Sequence, residues 1–429
     1  MDRLAALAYL DRHIGRGVKP GLKRIRGLLK MMGDPQDGYP VIHVAGTNGK
    51  TSTSRMAAAL LSAHGLTPGL FTSPHLQRVE ERFEVGGKQM TAGGLGSALE
   101  YLKPFVDLYE QRTGDGITYF ELTAALAFSW FAGQAVDAAV VEVGLGGRLD
   151  ATNVVDAEVA VVTSIGLEHT EYLGDTPAAI AGEKVAILGR GRTLVTGELE
   201  SEALEVVSQQ VAATGATWLR YGDDFRVAGA GSLPPGWMLD LEGVYQEYPG
   251  IRLLLHGRHQ TGNLAAAVAS VEALFGRALD PVAVQEAAFV VRTPGRMEVV
   301  REIPLLMLDG AHNPAGMAVL VSALLEEYPV TQWAVVMGAM ADKDLGSMLA
   351  LLEPVTGSFY AAAADSGRAR AAAEVAAAAS AAMVVPVSAW PSVEAALAAA
   401  VAGGGPVLVT GSLYVVGEAR GSLDLRMGA

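Results

Sequence analysis

The chain has 429 residues, a net charge of −14 and a pI of about 5.1; half of its residues are hydrophobic and 18% are charged. That is soluble-protein composition, with chain enough for more than one globular unit, and its acidity argues against general nucleic-acid binding while leaving room for a locally positive pocket. There is no cysteine, so disulfides, thiolate metal sites and a cysteine nucleophile are excluded.

The N-terminal stretch MDRLAALAYLDRHIGRGVKPGLKRI mixes charges into its apolar residues and lacks a signal-peptide core. No run approaches the length of an uninterrupted apolar span, so no membrane segment is expected and the default location is cytoplasmic. Residues 1–38 predict one amphipathic helix and a polar, glycine-containing connector. Tyr39–Gly46 is a short apolar run, a buried strand, followed by a helix over Thr51–His64 that Gly65 ends. Pro68–Ser73 predicts a strand and Thr118–Ala132 a helix. Asp137–Gly144 and Ala157–Gly166 are further buried strands. A helix over Pro177–Leu188 and a strand over Arg192–Gly197 follow. Strands alternating with helices imply a parallel sheet covered on both faces.

Trp218–Leu255 is strand-like with turns such as SLPPGW, which predicts a small antiparallel element before helix resumes at Asn263–Leu274. RTPGRMEVV (Arg292–Val300) has the punctuation of a boundary, placed near Thr293, which divides the chain into units 1–292 and 293–429. A second alternating series follows: a strand in PLLMLDG, a helix over Pro314–Glu327, a strand in TQWAVVMG, a helix over Asp344–Leu352 and a late strand over Gly405–Gly411. The alanine-rich run Ala361–Ala382 is broken by Asp365, Arg368, Arg370 and Glu374 and reads as helix plus loop. The expected fold class is α/β: a mostly parallel sheet with a phosphate loop, then a smaller Rossmann-like α/β unit.

The first chemistry-bearing stretch is HVAGTNGKTSTSRMAAALL. A loop between a buried strand and a helix aims backbone N–H groups, and the helix N-terminus, at an anion. Gly46, Thr47, Asn48 and Gly49 would form the cradle, Lys50 would sit beside the β/γ-phosphates, and Thr51 would offer a hydroxyl to Mg²⁺. The usual phosphate-loop pattern wants a glycine where Val44 stands, so the match is incomplete; the alternative is a strand-to-helix turn with a capping threonine. Glu142 closes a buried apolar strand, where a lone carboxylate is costly; Mg²⁺ would suit it, and a solvent-facing or helix-capping carboxylate is the alternative.

With its missing glycine, GTNGKT resembles the shortened phosphate loop of the Mur ligase superfamily. FTSPHLQRVEERFEVGG, TYFELTAALAF, VEVGLGGRLDATN, TSIGLEHTEYLGDT, IAGEKVAIL, LDGAHNPAG and VTGSLYVVGEAR follow in order along nearly the whole chain. Together they resemble the folylpolyglutamate synthase/dihydrofolate synthase family. The resemblance implies an ATP-dependent ligase that makes an acyl phosphate from a pterin-linked carboxylate and joins it to L-glutamate. Its small molecules would be ATP, L-glutamate and dihydropteroate or reduced folates.

The same resemblance assigns roles that the residues alone do not. It makes His169 a Mg²⁺ ligand with Ser73 and Glu142, and with Thr51 it suggests two metal sites around the γ-phosphate; alone, His169 reads as a polar loop histidine. It makes Lys184 a carbamylated metal-holding lysine, where the bland reading is a surface lysine. It puts Asp309, His312, Arg296 and Asn263 at ATP, with His312 among the catalytic groups beside Lys50 and Lys184. Locally, DG and NP are turn dipeptides, Asn313 could cap a helix, Asn263 could cap its own helix, and Arg296 could be a surface arginine. Phe120, Arg148, Asp150 and Ala151 would meet the pterin. Ser412 and Tyr414 are candidates near glutamate, or simply packing at a helix start. A monovalent cation and a monomeric state are also implied.

Two other readings compete. A cell-wall Mur ligase would share the loop but needs a UDP-sugar domain, for which the residues before the loop are too few. A nucleotide-gated binding module would need none of Glu142, His169 and Lys184.

Overall fold

The computed structural model describes residues 1–329 and 331–423. Strand Val41–Ala45 is buried along its whole length and pairs in parallel on both sides, with Ala138–Glu142 and with Val159–Val162. Such two-sided burial is why VIHVA reads as a continuous apolar run rather than an alternating one. The eight-stranded sheet runs Lys88–Gln89, Phe83–Val85, Pro68–Phe71, Ala138–Glu142, Val41–Ala45, Val159–Val162, Thr193–Thr196, Thr217–Arg220. Only the Phe83–Gln89 hairpin at one edge is antiparallel.

Side-chain alternation sorts the two faces. Ile42 and Val44 pack with Met56, Leu60, Leu264 and Val268, from helices Lys50–Ala63 and His259–Phe275. Val41 packs on the opposite face with Leu99, Leu122 and Phe128. A six-stranded sheet forms the second lobe, in the order Glu298–Glu302, Leu305–Leu308, Val407–Thr410, Trp333–Met337, Thr356–Ala361, Val387–Ala389. Its first strand is antiparallel and the rest are parallel.

Several elements differ from expectation. The single N-terminal helix is two, Arg3–Ile14 and Lys23–Met31, separated where Gly15, Gly17, Pro20 and Gly21 interrupt. Helix Ala92–Thr113 lies outside the expected elements, because Gly93, Gly94, Gly96 and Pro104 mask its buried stripe of Leu95, Leu99, Leu102 and Val106. Helices Ser201–Thr214 and Pro281–Val290 are additional too. Thr217–Arg220 extends the parallel sheet, so the antiparallel element is confined to Arg226–Ser232, Trp237–Glu242 and Glu247–Leu253.

The lobes are joined through residues 291–297. Arg292 Nη1 donates to the carbonyls of Phe289, Val290 and Val291, satisfying the end of the preceding helix. Across the lobes, His256 Nδ1 lies 2.6 Å from Glu327 Oε2. Gly417 lies so close to the Leu76 carbonyl that a Cβ would stand 2.0 Å from the oxygen. Among the described residues no helix is long and apolar enough to cross a membrane. Both sheets present the carboxyl ends of their parallel strands to one shared cleft of about 1000 Å³, where open α/β sheets bind ligands.

Candidate active site

Gly46–Gly49 follows the central strand directly, and helix Lys50–Ala63 starts at its end. Gly46 has φ 151° and Gly49 φ 85°. A Cβ at Gly46 would lie 1.9 Å from Thr163 Oγ1, and one at Gly49 would lie 2.5 Å from Asn263 Oδ1. The loop is tied to the next strand's exit: Thr47 N donates to Ser164 O (2.8 Å), Asn48 N to Ser164 Oγ (2.9 Å), and Thr163 Oγ1 to Asn48 O (2.6 Å). Lys50 Nζ donates to the carbonyls of Gly46 (2.6 Å) and Thr47 (3.0 Å), holding its charge over the loop. Gly46→Ala should therefore abolish nucleotide binding in calorimetry and lower stability by about 1–3 kcal/mol in a denaturant titration, through strain and the Thr163 clash.

Glu142 ends its strand with 1% of its surface exposed. Thr51 Oγ1 donates to its Oε1 at 2.8 Å, and Ser73 N donates to its Oε2 at 3.1 Å. Burial raises its pKa, and the nearby Lys50 charge is the largest opposing influence. One carboxylate with two hydroxyl residues beside a phosphate loop is a hard-oxygen donor set that fits Mg²⁺, which takes few protein ligands and completes its shell with phosphate and water. No group of three or more His, Cys, Asp or Glu suited to a metal occurs among the described residues. His169 lines the same cleft in a left-handed conformation, φ 46°. Burial, and then the Lys343 charge, lower its pKa, favouring the neutral ring.

Lys184 is buried on helix Pro177–Val185. Its Nζ donates to the phosphate-loop carbonyl of Gly46 (2.9 Å) and to Glu168 Oε1 (2.6 Å). Burial lowers its pKa to about 8, against the pull of Glu168. Burial pushes Glu168 upward in turn, but Lys50 and Lys184 together hold it below its usual value.

From the second lobe, Asp309 accepts from Met297 N (2.9 Å) and Ala311 N (2.8 Å), which braces the boundary against the exit of strand Leu305–Leu308. Burial raises its pKa and Arg296 opposes the rise. Gly310 can approach Arg296 only because it lacks a Cβ, which would lie 2.3 Å from Nη1. His312 Nδ1 lies 2.7 Å from the Gly310 carbonyl, so Nδ1 carries the hydrogen and Nε2 is the acceptor. Burial lowers its pKa to about 4. Asn313 caps helix Pro314–Glu327 through Gly316 N at 2.7 Å. Asn263 does not cap its helix: the helix begins at His259, so Asn263 lies within it, bonded to Gln260 Oε1 at 2.9 Å and facing Gly49.

The residues expected at the pterin gather round Gly144–Thr152. The Phe120 ring packs so tightly on Gly144 that a Cβ there would lie 2.4 Å from it, and it leans on Phe71 at 6.0 Å. Asp150 accepts from Leu145 N (2.8 Å), Thr152 N (3.0 Å) and Thr152 Oγ1 (2.5 Å), so both its oxygens are engaged in shaping the loop. Ala151 is buried beside it. Arg148 is exposed and pairs with Glu183 at 2.8 Å. Ser412 is buried in the second lobe, capping the last helix through Tyr414 N at 3.1 Å, and Tyr414 is half-exposed.

Three polar residues near these sites were not among the expected ones. Glu168 holds Lys184; Lys343 bears electrostatically on both His169 and His312; Arg82 is buried, donating to His75 Nδ1 at 2.9 Å with its guanidinium 5.6 Å from the Tyr119 ring. Among the described residues Arg82 forms no ion pair; burial lowers its pKa, and Tyr119, Tyr414 and the Glu142 and Glu81 carboxylates oppose that. Only its place in FTSPHLQRVEERFEVGG could have singled it out.

A phosphate loop at the centre of one parallel sheet, facing the strand exits of a second lobe, defines a two-lobed nucleotide-binding α/β enzyme. The Mur ligase middle domain matches residues 44–271, and the glutamate ligase domain of Mur ligases matches residues 295–413. The dihydrofolate synthase/folylpolyglutamate synthase of Mycobacterium tuberculosis is 39% identical over 82% of this chain and 77% of its own length. The folylpolyglutamate synthase of Lacticaseibacillus casei is 34% identical over 94% of both chains. The M. tuberculosis folylpolyglutamate synthase complexed with ADP superposes with a TM-score of 0.93 at 36% identity, covering 99% of this chain and all of that one. The chain belongs to the folylpolyglutamate synthase/dihydrofolate synthase family of Mur ligases.

Proposed function

We propose that the protein is an ATP-dependent amide ligase that adds L-glutamate to dihydropteroate and to folate (poly)glutamates. The observation that carries this reading is the convergence of Lys50, Thr51, Ser73 and Glu142 at one end of the cleft, opposite His312 and Arg296. Residues 1–292 act as the ATP-binding unit and 293–429 as the smaller partner. ATP sits on Gly46–Thr51, with Asn263, Arg296 and Asp309 along its length.

Mg²⁺ bound by Thr51, Ser73, Glu142 and His169 would supply positive charge at the transferring phosphoryl group. Lys50 places its ammonium at the β/γ-phosphates and offsets the charge that builds on the leaving ADP. A carboxylate oxygen of the folate acid attacks the γ-phosphorus, the bond to ADP breaks, and an acyl phosphate forms. The amino nitrogen of glutamate then attacks the acyl carbon and phosphate leaves. His312, neutral at working pH with Nε2 free as acceptor, accepts a hydrogen bond from the attacking amine, and the proton the amine loses leaves with the departing phosphate.

Lys184 fits this scheme as an ammonium that braces Gly46. A carbamate on Lys184, as the resemblance implies, would instead be an anion able to help hold Mg²⁺; the unmodified amine donates to Glu168 at 2.6 Å, and no step runs through the modified form. The sign of its pH dependence follows. The amine is charged below about 8 and loses that charge above it. Turnover that needs the ammonium should fall as pH rises through that value, and Lys184→Met should flatten this limb of the rate profile.

The test is purified protein with ATP, Mg²⁺ and labelled glutamate, given dihydropteroate and tetrahydrofolate separately. Label is expected in both products, with phosphate released only when acid and glutamate are both present. Failure with dihydropteroate alone would reduce the activity to polyglutamylation. Phosphate release needing neither substrate would mark a nucleotide switch instead.

A further inference from the structure

A second cavity, of about 1570 Å³, opens between the lobes and shares only Arg296 with the nucleotide cleft. Helix Lys50–Ala63 contributes Arg55, the loop beyond Ser73 contributes Arg78, the boundary contributes Thr293, and the second lobe contributes Arg301 and Arg420. Seven Arg and Lys side chains line it against four Glu, on a chain whose net charge is −14. The local field is therefore opposite in sign to the whole molecule.

Part of this charge is neutralised internally. Arg55 pairs with Glu84 at 2.9 Å, and Arg420 pairs with Glu298. Arg78 and Arg301 form no ion pair among the described residues. The cavity also holds unmet hydrogen-bonding capacity: Arg301 Nη2, Arg420 Nε and Thr293 Oγ1 are buried without a partner. Arg420 is 3% exposed and Thr293 5%. Orphaned buried donors are costly, and their gathering in one cationic cavity is the signature of a site that takes an acceptor-rich anion.

We infer that this cavity binds the oligo-γ-glutamyl tail of the substrate. The inference rests on the ligase reading above. A γ-linked chain carries one free α-carboxylate per residue, and guanidinium forks hold carboxylates in bidentate fashion. The volume exceeds the roughly 300–1,000 Å³ of compact ligand pockets, which suits an extended, growing chain. The position suits it too, because Arg296 lines both cavities, and the segment that puts Ser73 in the nucleotide cleft puts Arg78 in the groove. Dihydropteroate has no such tail and would not use the groove.

The test pairs calorimetry with kinetics on the full chain. Pterin-free tetra-γ-L-glutamate is titrated into the wild type and into the Arg78→Ala/Arg301→Ala variant, with ATP present. Wild-type binding that weakens with salt, and is lost in the variant, is expected. KM for a tetraglutamylated folate should rise roughly tenfold or more in the variant, with kcat and KM for dihydropteroate unchanged, and Arg301→Lys should restore part of the loss. Equal changes for both acids, no change for either, or peptide binding fully displaced by inorganic phosphate would overturn the groove. Ligation of no acid at all would sink the ligase reading instead, while the calorimetry would still decide whether the groove takes the peptide.

Discussion

Lys50→Ala is expected to lower turnover by about 10³-fold, the scale of losing one positioned charge at a transferring phosphoryl group. The side chain makes no ion pair among the described residues, and its two bonds go to carbonyls of its own loop. Among those residues, none outside its own loop hydrogen-bonds to it, and its reach into the core is the charge it sets near the buried Glu142 and Glu168. Melting temperature should therefore stay close to wild type while kcat collapses. Lys50→Arg should rescue poorly, because the guanidinium is bulkier and planar where Gly46 and Thr47 leave room for a compact head. Near-normal kcat in Lys50→Ala would remove the cation from the mechanism.

Glu142→Gln should cost a comparable factor in turnover, about 10²–10³, with a stability change of the opposite sense. The amide is nearly isosteric, yet it cannot accept from both Thr51 and Ser73 while offering charge to Mg²⁺. Dependence of rate on Mg²⁺ concentration should shift strongly upward. The stability sign follows from burial, which raises the pKa of Glu142 in the folded chain. A raised carboxyl favours folding while protonated and loses that contribution as pH rises through the folded pKa. At neutral pH the wild-type carboxylate is therefore a burden on the fold, and Glu142→Gln should melt at an equal or higher temperature. The gap should close as pH falls, and a melting series across pH reads it directly. A lower melting temperature at neutral pH would mean that Glu142 is structural.

The phosphate loop was legible because its signal is local: a buried run, glycines where the backbone turns left-handed, then Lys50 and Thr51 opening a helix. Glu142 was legible as an acid at the end of an apolar strand. The buried partners were not. Nothing in IAGEKVAIL indicates that Lys184 reaches across to Gly46, or that Glu168 meets it, since these contacts join segments far apart in sequence. Asp150 illustrates the converse, because a carboxylate in RLDATN suggests a ligand group, while the fold turns both its oxygens to its own loop. Helix Ala92–Thr113 escaped because glycines and Pro104 weaken propensity, and packing of Leu95, Leu99 and Leu102 overrides that weakness. The arginines of the second cavity come from four separate segments and acquire meaning only when folded together.

The most direct measurement follows oxygen. Folate acid labelled with ¹⁸O in its reacting carboxylate is incubated with the protein, ATP, Mg²⁺ and L-glutamate, and the released phosphate is analysed by mass spectrometry. Attack of that carboxylate on the γ-phosphorus predicts one labelled oxygen carried into phosphate for each amide formed. Amide formation with unlabelled phosphate would contradict it.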